Sequence, residues 1–350
     1  MRIRQLFGLS CVALAAAVSP AHAITFNTFV SSSDLNAVLG NNATIGFAYA
    51  GDKFVGSVYF GANNNQLYST DLNGVNVAKF GTPVASFSGE VYVSSSLGLG
   101  GYGPRDVYAG SEGVGSIYRF ANDGSSQGLF ASGLSSGVRS IAFDPYGLYG
   151  NNMIVATHNG DIYKISNTGV PTLLASIGAD TEGLSFAPQA FGPYAAGTLF
   201  VASEGLGAFL AVSPAGTVTT VVSGIAVPEM VSFVPLNLGS SGNPVEGFYA
   251  ASYPSNIQKA AASDFAPYIG DAIITGEGTG QVLDIRWDAG SGSFVTTNVA
   301  SFPGQAEDGI FVTADVITPT PSVPEPETWA LMLGGLAGLV ALKKKRQPRA

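Results

Sequence analysis

Four segments of this chain are variations on one phrase, and their spacing limits what it can fold into. They are Asp106–Phe120 (DVYAGSEGVGSIYRF), Met153–Ile165 (MIVATHNGDIYKI), Thr198–Val212 (TLFVASEGLGAFLAV) and Asp271–Ile285 (DAIITGEGTGQVLDI). In each, a short run of β-branched, aromatic and aliphatic residues enters a polar, glycine-containing turn and leaves it as a second such run, the pattern of two antiparallel strands. Another turn follows, such as Ala121-Asn122-Asp123-Gly124, Asn167-Thr168-Gly169 or Pro214-Ala215-Gly216, and then a third strand, for example Thr217–Val222. A further strand opens the next unit: Ser140–Phe143, Gly183–Phe186, Met230–Phe233 and Gly309–Val312. The equivalent glycines Gly115, Gly160 and Gly207 are 45 and 47 residues apart.

Four short strands in each repeat of ~40–50 residues are what a β-propeller blade requires. One such sheet cannot bury both faces alone, whereas blades stacked around an axis cover each other and leave only short edges. An earlier unit runs from about Gly51 to Ser96, with Gln66–Thr70 as its third strand, and a degenerate unit from about Leu236 to Phe265, around Gly247–Ser252. The count is five to seven blades, with six the best fit. Long amphipathic helical patterns are absent, so the fold class is all-β. The alternative arrangement is a β-sandwich or jelly roll.

The two ends read as sorting signals. Arg2 and Arg4 precede an apolar run, Leu6–Val18, and Ala21-His22-Ala23 is a small-x-small cleavage site, which predicts a signal peptide over 1–23. Cys11 lies inside the apolar run with Gly8 three places before it, against a lipidation site. At the other end, Pro324-Glu325-Pro326 is followed by Trp329, an apolar run to Leu342, and Lys343-Lys344-Lys345-Arg346. The prolines hold an extended segment, the tryptophan suits a membrane–water interface and the basic cluster stays cytoplasmic. From Trp329 to Leu342, a helix would span roughly 21 Å, short of the ~30 Å hydrocarbon core. This order of parts resembles the PEP-CTERM sorting domain of exported envelope proteins. The resemblance implies transient inner-membrane anchoring, processing near Pro-Glu-Pro by an exosortase-like membrane enzyme, and release to the outer envelope, surface or extracellular matrix. An ordinary tail anchor is the other reading. The expected layout is a signal peptide (1–23), an N-terminal strand or loop segment (24–50), a propeller (51–316), a Pro-rich linker (317–328), a short transmembrane helix (329–342) and a basic tail (343–350).

Between the signals, Ile24–Val323 holds 22 acidic and 8 basic residues, a net charge of about −14 against −9 for the whole chain. So acidic a body repels nucleic acid and anionic membranes and gathers cations. It has no cysteine, hence neither disulfides nor thiolate metal sites, and His158 is its one histidine, which excludes multi-histidine metal centres. The body is similar to the six-bladed NHL, gluconolactonase-like and soluble sugar-dehydrogenase propellers, through its periodicity and phrases such as Glu182-Gly183-Leu184-Ser185-Phe186.

In such blades the start of the innermost strand and the end of the second strand share one face. Aligned repeats put Arg139, Glu182, Glu229 and Asp308 at the first position, and Glu112, His158, Glu204 and Glu277 at the second. Clustered carboxylates suit Ca2+ or another hard divalent cation, which takes several oxygen ligands at ~2.3–2.6 Å. Glu182, Glu229 and Asp308 are the foremost candidate ligands, with Glu112, Glu204 and Glu277 behind them. The gluconolactonase-like resemblance implies a metal at this mouth; Arg139 departs from that pattern. The competing reading is that Ser-Glu-Gly is a soluble turn copied by repetition. His158 is the one candidate general base, with Asp161 or Glu204 to orient it, although Thr157-His158-Asn159-Gly160 also reads as a plain turn. There is no Gly-x-Ser-x-Gly elbow and no phosphate-binding loop. Phe265–Asp271 is faintly similar to a segment of quinoprotein sugar dehydrogenases, but one histidine and few basic residues argue against a quinone cofactor. The expectation is an exported binding module for extracellular polysaccharide or a surface protein. The alternative is a metal-dependent lactonase-like hydrolase or a sugar-related oxidoreductase.

Overall fold

The computed structural model describes residues 23–59 and 61–317. Ala21 and the rest of the expected signal segment lie outside the described residues, except Ala23. So does the tail with Pro324, Glu325, Pro326, Trp329 and Arg346. Among the described residues no helix is long and apolar enough to cross a membrane.

The chain opens with β1 (Asn27–Val30) and a short helix, α1 (Ser32–Leu39). Four sheets are then each built from consecutive strands. Blade 1 is β2 (Thr44–Tyr49), β3 (Phe54–Val58), β4 (Leu67–Thr70) and β5 (Ala78–Phe80). Blade 2 is β6 (Val91–Ser95), β7 (Val107–Ser111), β8 (Val114–Phe120) and β9 (Gln127–Ser132). Blade 3 is β10 (Val138–Phe143), β11 (Met153–Thr157), β12 (Asp161–Ile165) and β13 (Pro171–Ser176). Blade 4 is β14 (Leu184–Phe186), β15 (Leu199–Ser203), β16 (Ala208–Val212) and β17 (Val218–Ser223). The remaining strands are β18 (Pro228–Phe233), β19 (Gly247–Tyr253), β20 (Asn256–Ala261), β21 (Ala272–Gly276), β22 (Gln281–Asp288), β23 (Ser293–Ser301) and β24 (Gln305–Val312), before the short helix α2 (Ala314–Ile317).

Those last strands do not form blades in sequence order. Blade 5 is β18-β21-β22-β23, and blade 6 is β24-β19-β20-β1. The β19–β20 hairpin leaves blade 5 after its innermost strand, supplies the middle of blade 6, and the chain then returns to finish blade 5. The N-terminal strand closes the ring as the outer edge of blade 6. The innermost strands follow one another around the axis: β2 lies against β6 and β24, β6 against β10, β10 against β14, β14 against β18, and β18 against β24. The six-bladed, all-β propeller is therefore the architecture, a ring of six sheets and not a sandwich of two. Two expectations change. The propeller begins before Gly51, because β1 and β2 are blade strands. The degenerate unit at Leu236–Phe265 is no blade of its own but two strands of one.

Burial explains why these sequences make these strands. The second strands β7, β11, β15 and β21 are buried along their whole length, clasped between neighbouring blades, and read as continuous runs such as MIVAT, LFVAS and AIITG. The outermost β9, β13 and β17 are mostly exposed or half-buried. The core is six clusters, each filling the gap between two blades; Phe47, Phe54 and Tyr68 of blade 1, for instance, meet Tyr249, Ile257 and Val312 of blade 6. Tyrosines staple two of the gaps. Tyr102 O–H donates to Ile165 O and accepts from Met153 N (2.9 Å), while Tyr149 does the same with Val212 O and Leu199 N (2.9 Å).

Candidate functional site: an acidic channel mouth

The innermost strands start irregularly, and the irregularity builds the site. Their pairing slips between Val138 and Ser140 in β10, between Pro228 and Val231 in β18, and between Ala306 and Gly309 in β24. A β-bulge leaves residues out of the ladder and re-aims their side chains. The bulged stretches hold Arg139, Glu229 and Glu307. In β14 the same end is doubled differently: Glu182 N donates to Ala202 O (2.9 Å) and Ala202 N donates to Gly183 O (2.9 Å). Gly183 is glycine because a Cβ there would run into the backbone of Val231 in the next blade. Four blades thus turn one polar side chain each into the same end of the channel. The turns between second and third strands add Glu112, His158, Glu204 and Glu277.

Arg139 is the centre of the cluster and is 8% exposed. Its Nη2 lies 2.9 Å from Asp180 Oδ2, 3.6 Å from Glu204 Oε2 and in contact with Glu182 Oε1. Its Nη1 contacts Glu90 Oε2 and is 3.9 Å from Glu112 Oε1, and its Nε donates to Asp180 Oδ1 (3.2 Å). Tyr92 completes the ring, its hydroxyl 2.6 Å from Glu90 Oε2 and 2.8 Å from Glu182 Oε2. Burial alone would pull the guanidinium's pKa down, but Tyr92, Glu182, Asp180 and Glu90 together hold it above its ordinary value, so Arg139 is always charged.

The carboxyls outnumber that one cation. Glu182, Glu229 and Glu307 are 3%, 4% and 4% exposed. Glu182 and Glu229 are hydrogen-bonded to each other, and burial and mutual repulsion push Glu182 well above the carboxylate range. Burial does the same to Glu229. Glu307 is pushed up to about 9 by burial and by Glu90, Glu182 and Glu277. Like-charged groups in a dry mouth cannot all ionise, so several keep a proton at neutral pH unless a cation replaces it.

Two triads have one oxygen from each member within 4.8 Å of the others: Asp180–Glu182–Glu204 and Glu204–Glu229–Glu277. The Arg139 guanidinium already touches every member of the first, so a metal there would have to evict it. The second is clear of Arg139 except at Glu204, and Glu277 is fixed by an amide donation from Gln305 Nε2 (2.8 Å).

The structure brings together Glu112, His158, Glu204, Glu277, Arg139, Glu182 and Glu229. It does not bring Asp308 into the ring. Asp308 sits one step deeper, at the waist of the channel, where its Oδ2 accepts from Phe47 N (3.3 Å). Burial pushes it up to about 7. The ring position belongs to Glu307, and the cause is a one-residue slip across the bulge. Phe311, which matches Phe143, Phe186 and Phe233, was the signal for the correct register. Glu90, Tyr92 and Asp180 were also missed: Glu90 precedes a strand outside the aligned units, and Asp180 lies in a loop. His158, half exposed, pairs through Nδ1 with Asp180 Oδ2 (3.2 Å) and not with Asp161 or Glu204. Asp161 is taken up by Ser135 (2.6 Å) and by Ser176 and Asn159.

No known protein family matches the sequence, and no curated protein matches it either. Solved structures do match the fold. An oxidoreductase assigned as a glucose dehydrogenase, from Thermus thermophilus, superposes with a TM-score of 0.54 at 12% identity, over 86% of this chain and 97% of that one. A protein assigned as a gluconolactonase gives 0.52 at 11% identity, over 83% and 86%. A chain of a nidogen/laminin complex gives 0.52 at 13% identity, over 77% and 84%. At these identities the likeness is one of fold: the body is a six-bladed propeller.

Proposed function

We propose that this is an exported propeller that binds an extracellular polysaccharide or surface protein through a divalent cation held at its acidic mouth. The observation that carries the reading is the Glu204–Glu229–Glu277 triad, whose oxygens lie within 4.8 Å of one another while Arg139 fills the neighbouring triad. Two oxygens on one Ca2+ at ~2.3–2.6 Å from the metal are at most ~5.2 Å apart, so each pair in the triad is close enough to share an ion. Glu204, Glu229 and Glu277 would hold it, and a bound cation would supply open coordination positions for sugar hydroxyls or carboxylates. The metal ligands are thus Glu229 with the two turn glutamates, in place of the Glu182–Glu229–Asp308 set expected from sequence. Export rests on the signal-like N-terminus and on the resemblance of the tail to PEP-CTERM.

Calcium titrated to millimolar concentration raises Tm, and Glu229→Gln combined with Glu277→Gln removes the rise. Binding expels a proton from Glu229, so the effect weakens as pH falls. An unchanged Tm in wild type at millimolar calcium sinks the metal. For sorting, alanines at Pro324–Pro326 leave the protein at the inner membrane; release at the wild-type rate ends that part of the reading. A second reading, a lactonase-like hydrolase, draws on the His158–Asp180 contact, a base beside an orienting carboxylate. Turnover of a lactone panel that disappears in His158→Ala would establish it in place of a pure binding role.

A further inference from the structure

The innermost strands run from the acidic mouth to the opposite end of the channel, where Phe47, Phe143, Phe186, Phe233 and Phe311 line a cavity of about 290 Å³. The connections around that end form the second face of the ring. In blades 3, 4 and 5 they are residues 145–148, 188–197, 235–238 and 266–269, and none of these stretches holds a charged residue.

The loops join into one surface. A Cβ on Gly197 would stand 3.1 Å from Tyr146 Cβ and 3.4 Å from Leu148 Cβ, so blade 4 packs here on blade 3. A Cβ on Gly270 would meet Gln189 and, at 3.5 Å, Leu236 Cδ2, which carries the surface on to blade 5. Tyr146, Leu148, Leu236 and Ile269 are 37–50% exposed, and Pro193 and Pro267 in the same loops are exposed too. One exposed apolar side chain is ordinary, but a joined, uncharged run of them marks a surface that meets something.

Two further observations say what it meets. The chain leaves the propeller on this face: Val316 of α2 lines the cavity, and its carbonyl accepts from Arg105 Nη2. Residues 318–328 then lead to the apolar run 329–342 and its basic end, and eleven residues reach at most roughly 40 Å. Whatever the tail enters is therefore within reach of this face. The second observation is charge. The opposite face crowds Glu90, Glu112, Asp180, Glu182 and Glu204 around a single arginine. An anionic lipid surface repels that face and not the uncharged loops. Turning the mouth toward the lipid would also carry the start of the linker to the far side of the body.

We infer that the loops of blades 3 to 5 at the phenylalanine end are a membrane-docking surface, which rests the body on the bilayer that holds the tail and turns the acidic mouth away from it. The inference rests on the anchored stage of the sorting reading. Leu148, Leu236 and Ile269 enter the boundary between headgroups and acyl chains, and Tyr146 suits that depth with an apolar ring and a polar hydroxyl. The mouth then stands open to its ligand while the chain is still tethered.

Fluorescent labels on single cysteines test it in the chain 24–350, which has no cysteine of its own. Leu148→Cys and Ile269→Cys report the docking face. Leu206→Cys reports the mouth side, beside Glu204, at a residue just as exposed (52%). Each labelled chain is reconstituted in vesicles of phosphatidylethanolamine and phosphatidylglycerol, with and without brominated acyl chains. The labels at 148 and 269 are quenched by the bromines about threefold or more than the label at 206. Chains that float with the vesicles but show equal quenching at all three positions, or stronger quenching at 206, overturn the inference and leave the anchored tail standing. Chains that do not float at all overturn the anchoring and the docking together. A label at 148 that changes with protein concentration before vesicles are added marks a second copy of the chain as the occupant and overturns the membrane as partner. All three substitutions sit at exposed positions, so the readout does not depend on a variant that disturbs the core.

Discussion

The two ends of the channel are made by the same innermost strands, yet one is a crowd of carboxyls around an arginine and the other is lined with phenylalanine. The difference lies in strand regularity. At the acidic end the ladder is broken by bulges, and the residues freed from it, Arg139, Glu229 and Glu307, point where an alternating strand would not send them. Past the bulge the ladder is regular, and the fourth residue after each of these three, and after Glu182, is an aromatic: Phe143, Phe233, Phe311 and Phe186. Irregular backbone carries the charge, and regular backbone carries the packing.

Four substitutions test that contrast. The largest effect is at the mouth: Arg139→Met leaves five carboxyls without their cation and costs about 3–5 kcal/mol in denaturant unfolding. Calcium should recover part of that loss, because the Asp180–Glu182–Glu204 triad is then vacated. A variant as stable as wild type would mean the cluster is not held by its arginine. At the other end, Phe186→Ala costs about 3 kcal/mol through lost packing, while the dependence of stability on pH stays as in wild type. A changed pH profile in Phe186→Ala would show that the two ends are coupled.

Third is pH itself. Glu307 ionises at about 9 in the folded protein against an ordinary 4.5, and Asp308 at about 7 against 3.8. Between those values the folded chain keeps protons that the unfolded chain has released. The contribution of these two groups to stability is therefore full below pH ~4 and is lost as pH rises toward 9. Glu307→Gln flattens the fall and is more stable than wild type at pH 9; a denaturation midpoint that rises with pH over this window contradicts the assignment. The smallest effect is Tyr92→Phe, which removes the hydroxyl shared by Glu90 and Glu182 and costs about 1 kcal/mol, measurable as a shift in midpoint. No shift would mean that Arg139 alone holds the pair together.

The blade pattern was legible because turn chemistry and strand runs are local. So was most of the mouth: Arg139, Glu182, Glu229, Glu112, Glu204, Glu277 and His158 fall at equivalent repeat positions. Asp308 was mistaken for the ring residue because a bulge adds a residue that alternation does not anticipate, and a slip of one moves a side chain to the other face. The composition of blade 6 could not be read at all. Thr28 pairs with Gln258, and Ala250 with Gly309, and nothing local to Asn27–Val30 announces a partner so far along the chain. The phenylalanine-lined end of the channel was equally hidden, since Phe47, Phe143, Phe186, Phe233 and Phe311 come from five separate blades.

The crossing of the β19–β20 hairpin into blade 6 has a genetic consequence. No uninterrupted stretch of coding sequence specifies blade 5 or blade 6, so neither can be duplicated, deleted or transplanted without tearing the other. Blades 1 to 4 are contiguous cassettes and are free to be copied; the last third of the ring, split between Asn27–Val30 and the chain after Pro228, has to be inherited together.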